Sequence, residues 1–297
     1  RLQLEPMKKM VLIGGGRWAR VLMSVLADVL PVDWQILWVT HHGRQAAELW
    51  CREQYRTNVA RAADWVEVAA EASDAQLSHM HAAIVATSPH THGDWLHRLL
   101  RAQVPTLCEK PLVLDPQQAD QLASQAIAAK CPLGVNLELH YATYIERFAH
   151  LVSGWDTSLA SAHLPAATLS SRSAQSQLAN SQAPDMLDDA ERRATVANTR
   201  ARHVELQWLD PWSEVRYGEP KYSDVYTNIV DDMFPHCWSL LRHATGVDDW
   251  CIEQVEYLLN SDVQISLLQG NTSANVTLSR RAPQRTRRLR VAWAAGD

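Results

Sequence analysis

The chain of 297 residues has few features of disulfide scaffolds or membrane proteins. Its cysteines are odd in number and widely spaced, so neither a disulfide framework nor a zinc site is expected. No apolar run reaches the roughly 20 residues that span a bilayer, and residues 1–10 lack the apolar core of a signal peptide. We therefore expect a cytoplasmic protein that does not bind a membrane. The cysteines are Cys51, Cys108, Cys131, Cys237 and Cys251.

The charge balance also argues against nucleic acid and membranes as partners. A formal net charge of -5 gives no general attraction for nucleic acid or an anionic membrane, so a small-molecule substrate is favoured. Six arginines lie between Arg280 and Arg290, but a proline divides this run between two predicted strands. We therefore interpret the run as a solvated hairpin and not as a nucleic-acid site.

The length predicts two domains, and the pattern of residues changes near residue 140. In residues 1–140 short apolar runs alternate with segments of helical periodicity, which predicts a parallel sheet covered by helices on both faces. The predicted strands are MVLIGGG, WQILWVT, HAAIVATSP, VPTLCEKP and PLGVNLEL, and the predicted helices are Trp18–Leu30, Gln45–Tyr55, His92–Ala102 and Pro116–Lys130.

Residues 141–297 have a different pattern. A segment rich in alanine, serine and glutamine within residues 158–200 predicts a flexible insertion. The strands that follow alternate in polarity and lie close together, which predicts an open, mostly antiparallel sheet with one covered face. These strands are HVELQWLDPW, VEYLL, VQISLL, ANVTL and RLRVAW.

A GxGxxA motif runs from Gly14 to Ala19, where a predicted strand gives way to a helix. In this setting glycines let the backbone approach a pyrophosphate at the start of a helix, although a simple tight turn is the alternative. Gly14, Gly16, Arg17 and Trp18 are therefore candidate cofactor-binding residues.

The end of the second strand bears on the choice of dinucleotide. An acid there accepts hydrogen bonds from the ribose of NAD, whereas basic or hydroxyl groups suit the extra phosphate of NADP. The sequence has Thr40, His41, His42 and Arg44 and no acid. It predicts NADP(H), with NAD(H) less favoured, and an ordinary polar loop is the alternative.

The glycine motif, VATSPHTH (residues 85–92) and CEKP (residues 108–111), in that order, resemble the glucose-fructose oxidoreductase / inositol dehydrogenase / MocA (Gfo/Idh/MocA) family. The resemblance implies an α/β fold with an N-terminal Rossmann domain and a C-terminal α/β domain built on an open, mostly antiparallel sheet. It also implies a homo-oligomer formed through that second sheet.

The resemblance further implies a catalytic site. It assigns Lys110 to the reacting centre and Glu109 to the cofactor side of the same turn. An acid and a histidine four residues apart, Asp232 and His236, complete the catalytic set on one helix face, with Asp232 fixing the tautomer of His236. Without the family, Asp232 would be interpreted as a helix cap and His236 as a packed residue.

Four further residues would line the nicotinamide side of the cleft, namely Thr87, Ser88, Pro89 and His92. Alternatively, Pro89 and His92 end a strand and open a helix. No metal ligand is expected in either case.

The function expected from this pattern is NADP(H)-dependent interconversion of a secondary alcohol and a ketone on a sugar, polyol or similar metabolite. An NADPH-dependent imine reductase of a biosynthetic pathway is an alternative, because the family resemblance extends to C=N reduction. A cofactor-binding regulatory protein without turnover is the alternative from a different class.

Overall fold

The computed structural model describes residues 7–57, 65–143, 145, 201–216, 218–247, 249–258 and 262–293. These residues form two compact units. The first comprises Arg1–Leu137 and Val225–Pro235, and the second comprises Glu138–Asp224 and His236–Asp297. The insertion predicted within residues 158–200 lies outside the described residues.

Strands and helices alternate through the first unit. The described elements are β1 (Lys8–Ile13), α1 (Arg17–Val29), β2 (Trp34–Val39), α2 (Arg44–Thr57), β3 (Val66–Ala69), α3 (Asp74–Leu77), β4 (Ala82–Val85), α4 (Pro89–Arg101), β5 (Thr106–Glu109), α5 (Pro116–Ala129) and β6 (Leu133–Asn136). Helix α4 begins at Pro89, before the predicted His92, because proline suits the first position of a helix. The short elements β3 and α3 were not predicted, since four residues carry too little periodicity.

The six strands of the first unit form one sheet in the order β3-β2-β1-β4-β5-β6. Every neighbouring pair is parallel, so all the carboxyl ends of the strands lie at the same edge. The strand order reverses between β1 and β4, which is where open α/β sheets bind their ligands. The predicted Rossmann fold is confirmed.

Two hydrophobic cores cover the two faces of this sheet. Leu12 in β1 and Trp38 in β2 are fully buried in the core that includes residues of α1 and α2. The neighbouring Ile13 is buried in the opposite core, which includes Leu96 of α4 and Leu122 of α5. The strands are apolar on both faces because helices pack on both sides of a parallel sheet.

The second unit is built mainly of strands, and the helix α6 begins in the first unit and continues into the second. The described elements after β6 are a 3-10 helix (Glu138–Tyr141), β7 (Ala201–Leu209), β8 (Ser213–Arg216), β9 (Glu219–Tyr222), α6 (Ile229–Thr245), β10 (Cys251–Tyr257), β11 (Val263–Gln269), β12 (Thr272–Ser279) and β13 (Thr286–Trp293). The strands form a five-stranded sheet in the order β10-β11-β12-β7-β13 and a separate hairpin, β8-β9. All the pairs in the larger sheet are antiparallel except β12 with β7, which confirms the predicted mostly antiparallel sheet.

The arginine-rich connection between β12 and β13 is not the predicted hairpin. Strand β7 lies between these two strands and pairs with both, so the connection passes across the end of β7. Arg287 is half-buried and donates to Asp210 Oδ1 at 2.6 Å and to the Leu209 carbonyl at 2.8 Å. Its guanidinium also lies 3.8 Å from the ring centre of Trp208. The prediction of a solvated hairpin was wrong because it took strands adjacent in sequence to be adjacent in the sheet.

None of the helices in the described part of the chain is both long and apolar enough to cross a membrane.

Arg287 should stabilise the second unit, whereas the exposed Arg288 beside it should not. In Arg287→Met the Asp210 side chain, which is 10% exposed, loses its 2.6 Å ion-pair partner. We expect the free energy of unfolding to fall by about 1–3 kcal/mol, and Arg288→Met to change it by less than about 0.5 kcal/mol. Urea unfolding of the two variants measures both values, and equal losses would contradict this account of the connection.

Candidate active site

The first glycine of the motif is required by the close approach of β4. Gly14 follows β1 with φ +135°, and a Cβ atom there would lie 2.3 Å from the carbonyl oxygen of Ala86. The buried Trp38 donates from Nε1 to the Gly14 carbonyl at 2.7 Å. The turn is therefore fixed from both neighbouring strands, β2 and β4.

The second glycine of the motif leaves the start of α1 accessible. Gly16 is the N-cap of α1, no side chain caps this helix end, and the first turn contains no acid. A Cβ atom at Gly16 would meet nothing within 4 Å. Backbone N–H groups and the positive end of the helix dipole favour a phosphate here, so these residues fit the pyrophosphate of a dinucleotide.

The loop after β2 contains the residues predicted to select the cofactor. Thr40 is buried, and its Oγ1 accepts from the Gly43 N–H at 3.0 Å. Arg44 is exposed and pairs with Glu48 at 2.8 Å, one helical turn later in α2. The rings of His41 and His42 are exposed and meet edge to face, with centroids 4.6 Å apart. Thr40 thus shapes the loop, while the two histidines and Arg44 lie on its surface.

Glu109 connects three elements at the carboxyl edge of the first sheet. This buried carboxylate accepts from Trp18 Nε1 at 2.5 Å and from Asn136 Nδ2 at 2.6 Å. Burial raises its pKa, and the two hydrogen bonds and the charge of Lys110 oppose that rise. Trp18, predicted to bind the cofactor, therefore also fastens the first turn of α1 to the end of β5.

His92 lies inside the protein. Its side chain is fully buried, with Nδ1 at 2.9 Å from the Pro111 carbonyl and Nε2 at 3.2 Å from the Thr87 carbonyl. Burial lowers the pKa of its imidazole. This histidine joins the start of α4 to the turn after β5, and its place on the nicotinamide side of the cleft stays a prediction.

Ser88 and Pro89 form the start of α4. Ser88 is the N-cap, without a side-chain capping hydrogen bond, and Pro89 occupies the first turn. Thr87 Oγ1 accepts a hydrogen bond from Thr91 at 2.8 Å. The alternative interpretation, that Pro89 opens a helix, therefore describes the local structure, while cofactor contacts of these residues stay a prediction.

Lys110 and Asp232 form an ion pair within the first unit. Lys110 Nζ donates to Asp232 Oδ1 and to the Asp232 carbonyl, each at 2.7 Å. The Lys110 side chain is 16% exposed and lies directly after β5, at the carboxyl edge of the sheet. Asp232 does not cap α6, because Asn228 Oδ1 accepts from the Val230 N–H at 2.8 Å in that role.

His236 lies one turn further along α6 and has neighbours within the second unit. Its Nδ1 is 3.4 Å from Glu138 Oε1, and its ring stacks on Trp208 with centroids 4.8 Å apart and an angle of 9°. Sequence reasoning missed Glu138, Asn136 and Trp208. Asn136 ends the last parallel strand and Glu138 follows it by two residues. Polar residues just after such strands often serve ligands, so their position was a usable signal.

No cluster of three or more histidine, cysteine or acidic residues suited to a metal occurs within the residues that the structure describes.

The fold and the glycine turn together define a dinucleotide-binding domain of the Rossmann class. The family model described as GFO_IDH_MocA, an oxidoreductase family with an NAD-binding Rossmann fold, matches residues 8–137. This match confirms, over these residues, the resemblance to the Gfo/Idh/MocA oxidoreductases that was found in the sequence. No curated protein sequence matches the chain.

Solved structures extend the likeness over both units. UDP-N-acetylglucosamine 3-dehydrogenase GnnA from Acidithiobacillus ferrooxidans has a TM-score of 0.62 and 18% identity, covering 96% of this chain and 71% of the other. Myo-inositol dehydrogenase from Lactobacillus casei, solved with NAD(H) and myo-inositol, has a TM-score of 0.65 and 15% identity, covering 98% and 73%. The dehydrogenase MviM from Clostridium difficile has a TM-score of 0.63 and 13% identity, covering 96% and 74%. At these identities the likeness establishes the shared fold.

The two outer glycines of the motif should respond differently to alanine. We expect Gly16→Ala to keep the free energy of unfolding within about 0.5 kcal/mol of wild type, since its Cβ meets no atom. It should weaken dinucleotide binding at least about tenfold, because the methyl group occupies the approach to the helix start.

Gly14→Ala serves as the structural comparison and should lose about 1–3 kcal/mol of stability through its positive φ and the clash with Ala86. Thermal unfolding and fluorescence titration with NADH and NADPH measure the two effects. Wild-type cofactor affinity in Gly16→Ala would show that the pyrophosphate does not bind at this helix end.

Proposed function

We propose that the protein is an NADP(H)-dependent oxidoreductase that interconverts a secondary alcohol and a ketone on a sugar, polyol or similar small metabolite. The observation that carries the proposal is the Lys110 ammonium, held 2.7 Å from Asp232 at the carboxyl edge of a dinucleotide-binding sheet. The names of two structurally similar enzymes support the substrate class, since one is a nucleotide-sugar dehydrogenase and the other a myo-inositol dehydrogenase.

The nicotinamide of a bound cofactor supplies the hydride acceptor or donor. An ammonium group has three N–H donors, and Lys110 uses its hydrogen bonds to Asp232 to hold its orientation. A further N–H of Lys110 is then available to the substrate oxygen, where it stabilises the negative charge that develops during hydride transfer. The imidazole of His236 takes up or returns the hydroxyl proton.

Replacing Lys110 tests this role. We expect Lys110→Met to lower kcat by about a hundredfold or more, while cofactor affinity stays near that of wild type. The partly exposed Asp232 loses its ion pair, so the free energy of unfolding should fall by only about 1–2 kcal/mol. Initial rates followed by NADPH absorbance provide the measurement.

Lys9→Met is a matched control, because Lys9 is an exposed lysine at the opposite end of the same sheet. The substrate panel should contain sugars, polyols, ketones and cyclic imines. Near-normal turnover in Lys110→Met contradicts its assigned role, and turnover confined to imines contradicts the alcohol–ketone assignment.

The preference for NADP(H) is supported by the loop after β2, in which residues 40–44 include no acid to repel a 2′-phosphate. Arg44 is the donor best suited to that phosphate, because a guanidinium offers paired hydrogen bonds. Its ion pair with Glu48 lies at the surface, with side chains 56% and 37% exposed. Exposed pairs of this kind contribute little free energy, so a phosphate can compete for the guanidinium.

Arg44 and Glu48 should therefore affect NADPH binding in opposite directions. We expect Arg44→Ala to weaken NADPH binding about tenfold with little change for NADH. Glu48→Gln should tighten NADPH binding several-fold, since it releases Arg44 and removes a negative charge. Arg52→Ala, an exposed arginine on the same helix, controls for general charge effects. Tighter binding of NADH by the wild type, or unchanged NADPH affinity in Arg44→Ala, would refute the proposal.

A further inference from the structure

We propose that Glu138 is a positioning residue for the proton-transfer step: it orients the imidazole of His236 and selects the ring nitrogen that carries the proton. The family resemblance had implied this role for Asp232. The inference rests on the proposed function, because it concerns the histidine that exchanges the hydroxyl proton there.

The contact between Glu138 and His236 has the geometry of an ion pair. Glu138 Oε1 is 3.4 Å from His236 Nδ1, and the imidazole side chain is only 10% exposed. This separation is longer than a well-formed hydrogen bond, yet catalytic hydrogen bonds are often long in a ligand-free enzyme and shorten in the complex. A carboxylate facing Nδ1 favours the proton on that nitrogen, and therefore leaves Nε2 as the base that meets the substrate.

Trp208 restricts the orientation of the imidazole ring. The two rings are nearly parallel, with centroids 4.8 Å apart. Trp208 is itself buried and is contacted by the Arg287 guanidinium at 3.8 Å, which Asp210 holds at 2.6 Å. A partial rotation of the imidazole would lose this stacking, whereas a 180° flip would keep the ring plane and place a C–H group beside Glu138. The indole therefore fixes the plane of the ring, and the carboxylate favours the flip state in which Nδ1 faces it.

The 3-10 helix that carries Glu138 is joined to α6 at two points. Glu138 faces His236 near the start of α6, and His140 lies 2.9 Å from His243 two turns later, measured between Nδ1 and Nε2. Two contacts seven residues apart match the repeat of a helix face. They fix the direction of the short helix, so the position of the carboxylate beside His236 is set by the fold.

Asp232 already has a partner for its charge. Its Oδ1 and its carbonyl oxygen both accept from the Lys110 ammonium at 2.7 Å. Among the described residues of the second unit, Glu138 on the short helix contacts the imidazole, and Arg287, paired with Asp210, lies against Trp208. Cys237 follows His236 directly in α6. Burial raises the pKa of the Cys237 thiol, so this thiol stays neutral. Glu138 is thus a carboxylate in ion-pair contact with the imidazole within the described part of this unit.

The test is the pH dependence of kcat/KM in Glu138→Gln. Removing a nearby negative charge disfavours the protonated imidazole, so the limb of the profile near neutrality should move to lower pH, by about 0.5–1 unit for this partly exposed carboxylate. We also expect kcat to fall about tenfold. Glu138→Asp keeps the negative charge, so its limb should lie close to that of wild type. His140→Asn alters the same short helix and should leave the limb in place.

An NMR titration of the imidazole protons in the cofactor-free protein gives a readout independent of turnover. His236→Asn identifies the His236 resonance, and the titration midpoint of that resonance should move to lower pH in Glu138→Gln. An unmoved resonance, or lost activity with an unmoved limb, overturns the role of Glu138. If the limb persists in His236→Asn, the proposed function has assigned the proton transfer to the wrong group. If the limb disappears in His236→Asn but stays in place in Glu138→Gln, only the role of Glu138 is rejected.

Discussion

The organisation of the site depends on two adjacent residues at the end of β5. Successive residues of an extended chain point in opposite directions, and here each direction has a different partner. Glu109 receives hydrogen bonds from Trp18 and Asn136, and Lys110 binds Asp232. One dipeptide therefore fastens the first turn of α1, the end of β6 and the start of α6. The pair with Asp232 also joins the segment Val225–Pro235 to the first unit, although this segment is far from the rest of that unit in sequence.

Tryptophan supplies several of the contacts that hold these turns. The indole combines a large apolar surface with a single N–H donor, so it can fill a core and satisfy one polar group at the same time. Trp38 does this for the Gly14 carbonyl, and Trp18 does it for Glu109. Trp208 uses its ring face instead, with His236 and Arg287 stacked on it. These contacts give a structural role to three of the twelve tryptophans of the chain.

Local patterns predicted the parts of the fold that local forces decide. The alternating apolar runs identified β1, β2, β4, β5 and β6, and the glycine motif identified the turn between β1 and α1. The pairing of β7 with β12 and β13 depends on contacts distant in sequence, so the arginine connection was misinterpreted. The residues of the site show the same difference between local patterns and contacts distant in sequence. The family resemblance, not residue spacing, linked Lys110 to Asp232, and nothing local connected His92 to the turn after β5.

The spacing of two residues on a helix predicts whether they share a face, but it does not predict which groups they contact. Residues four apart share a face, so the spacing of Asp232 and His236 left their partners open. Asp232 contacts Lys110, and His236 contacts Glu138. This separation suits the proposed chemistry, because Lys110 must stay charged while His236 gains and loses a proton. A carboxylate shared by both groups would couple the two charges. With a carboxylate for each, the imidazole changes its protonation state while the ammonium keeps its counterion.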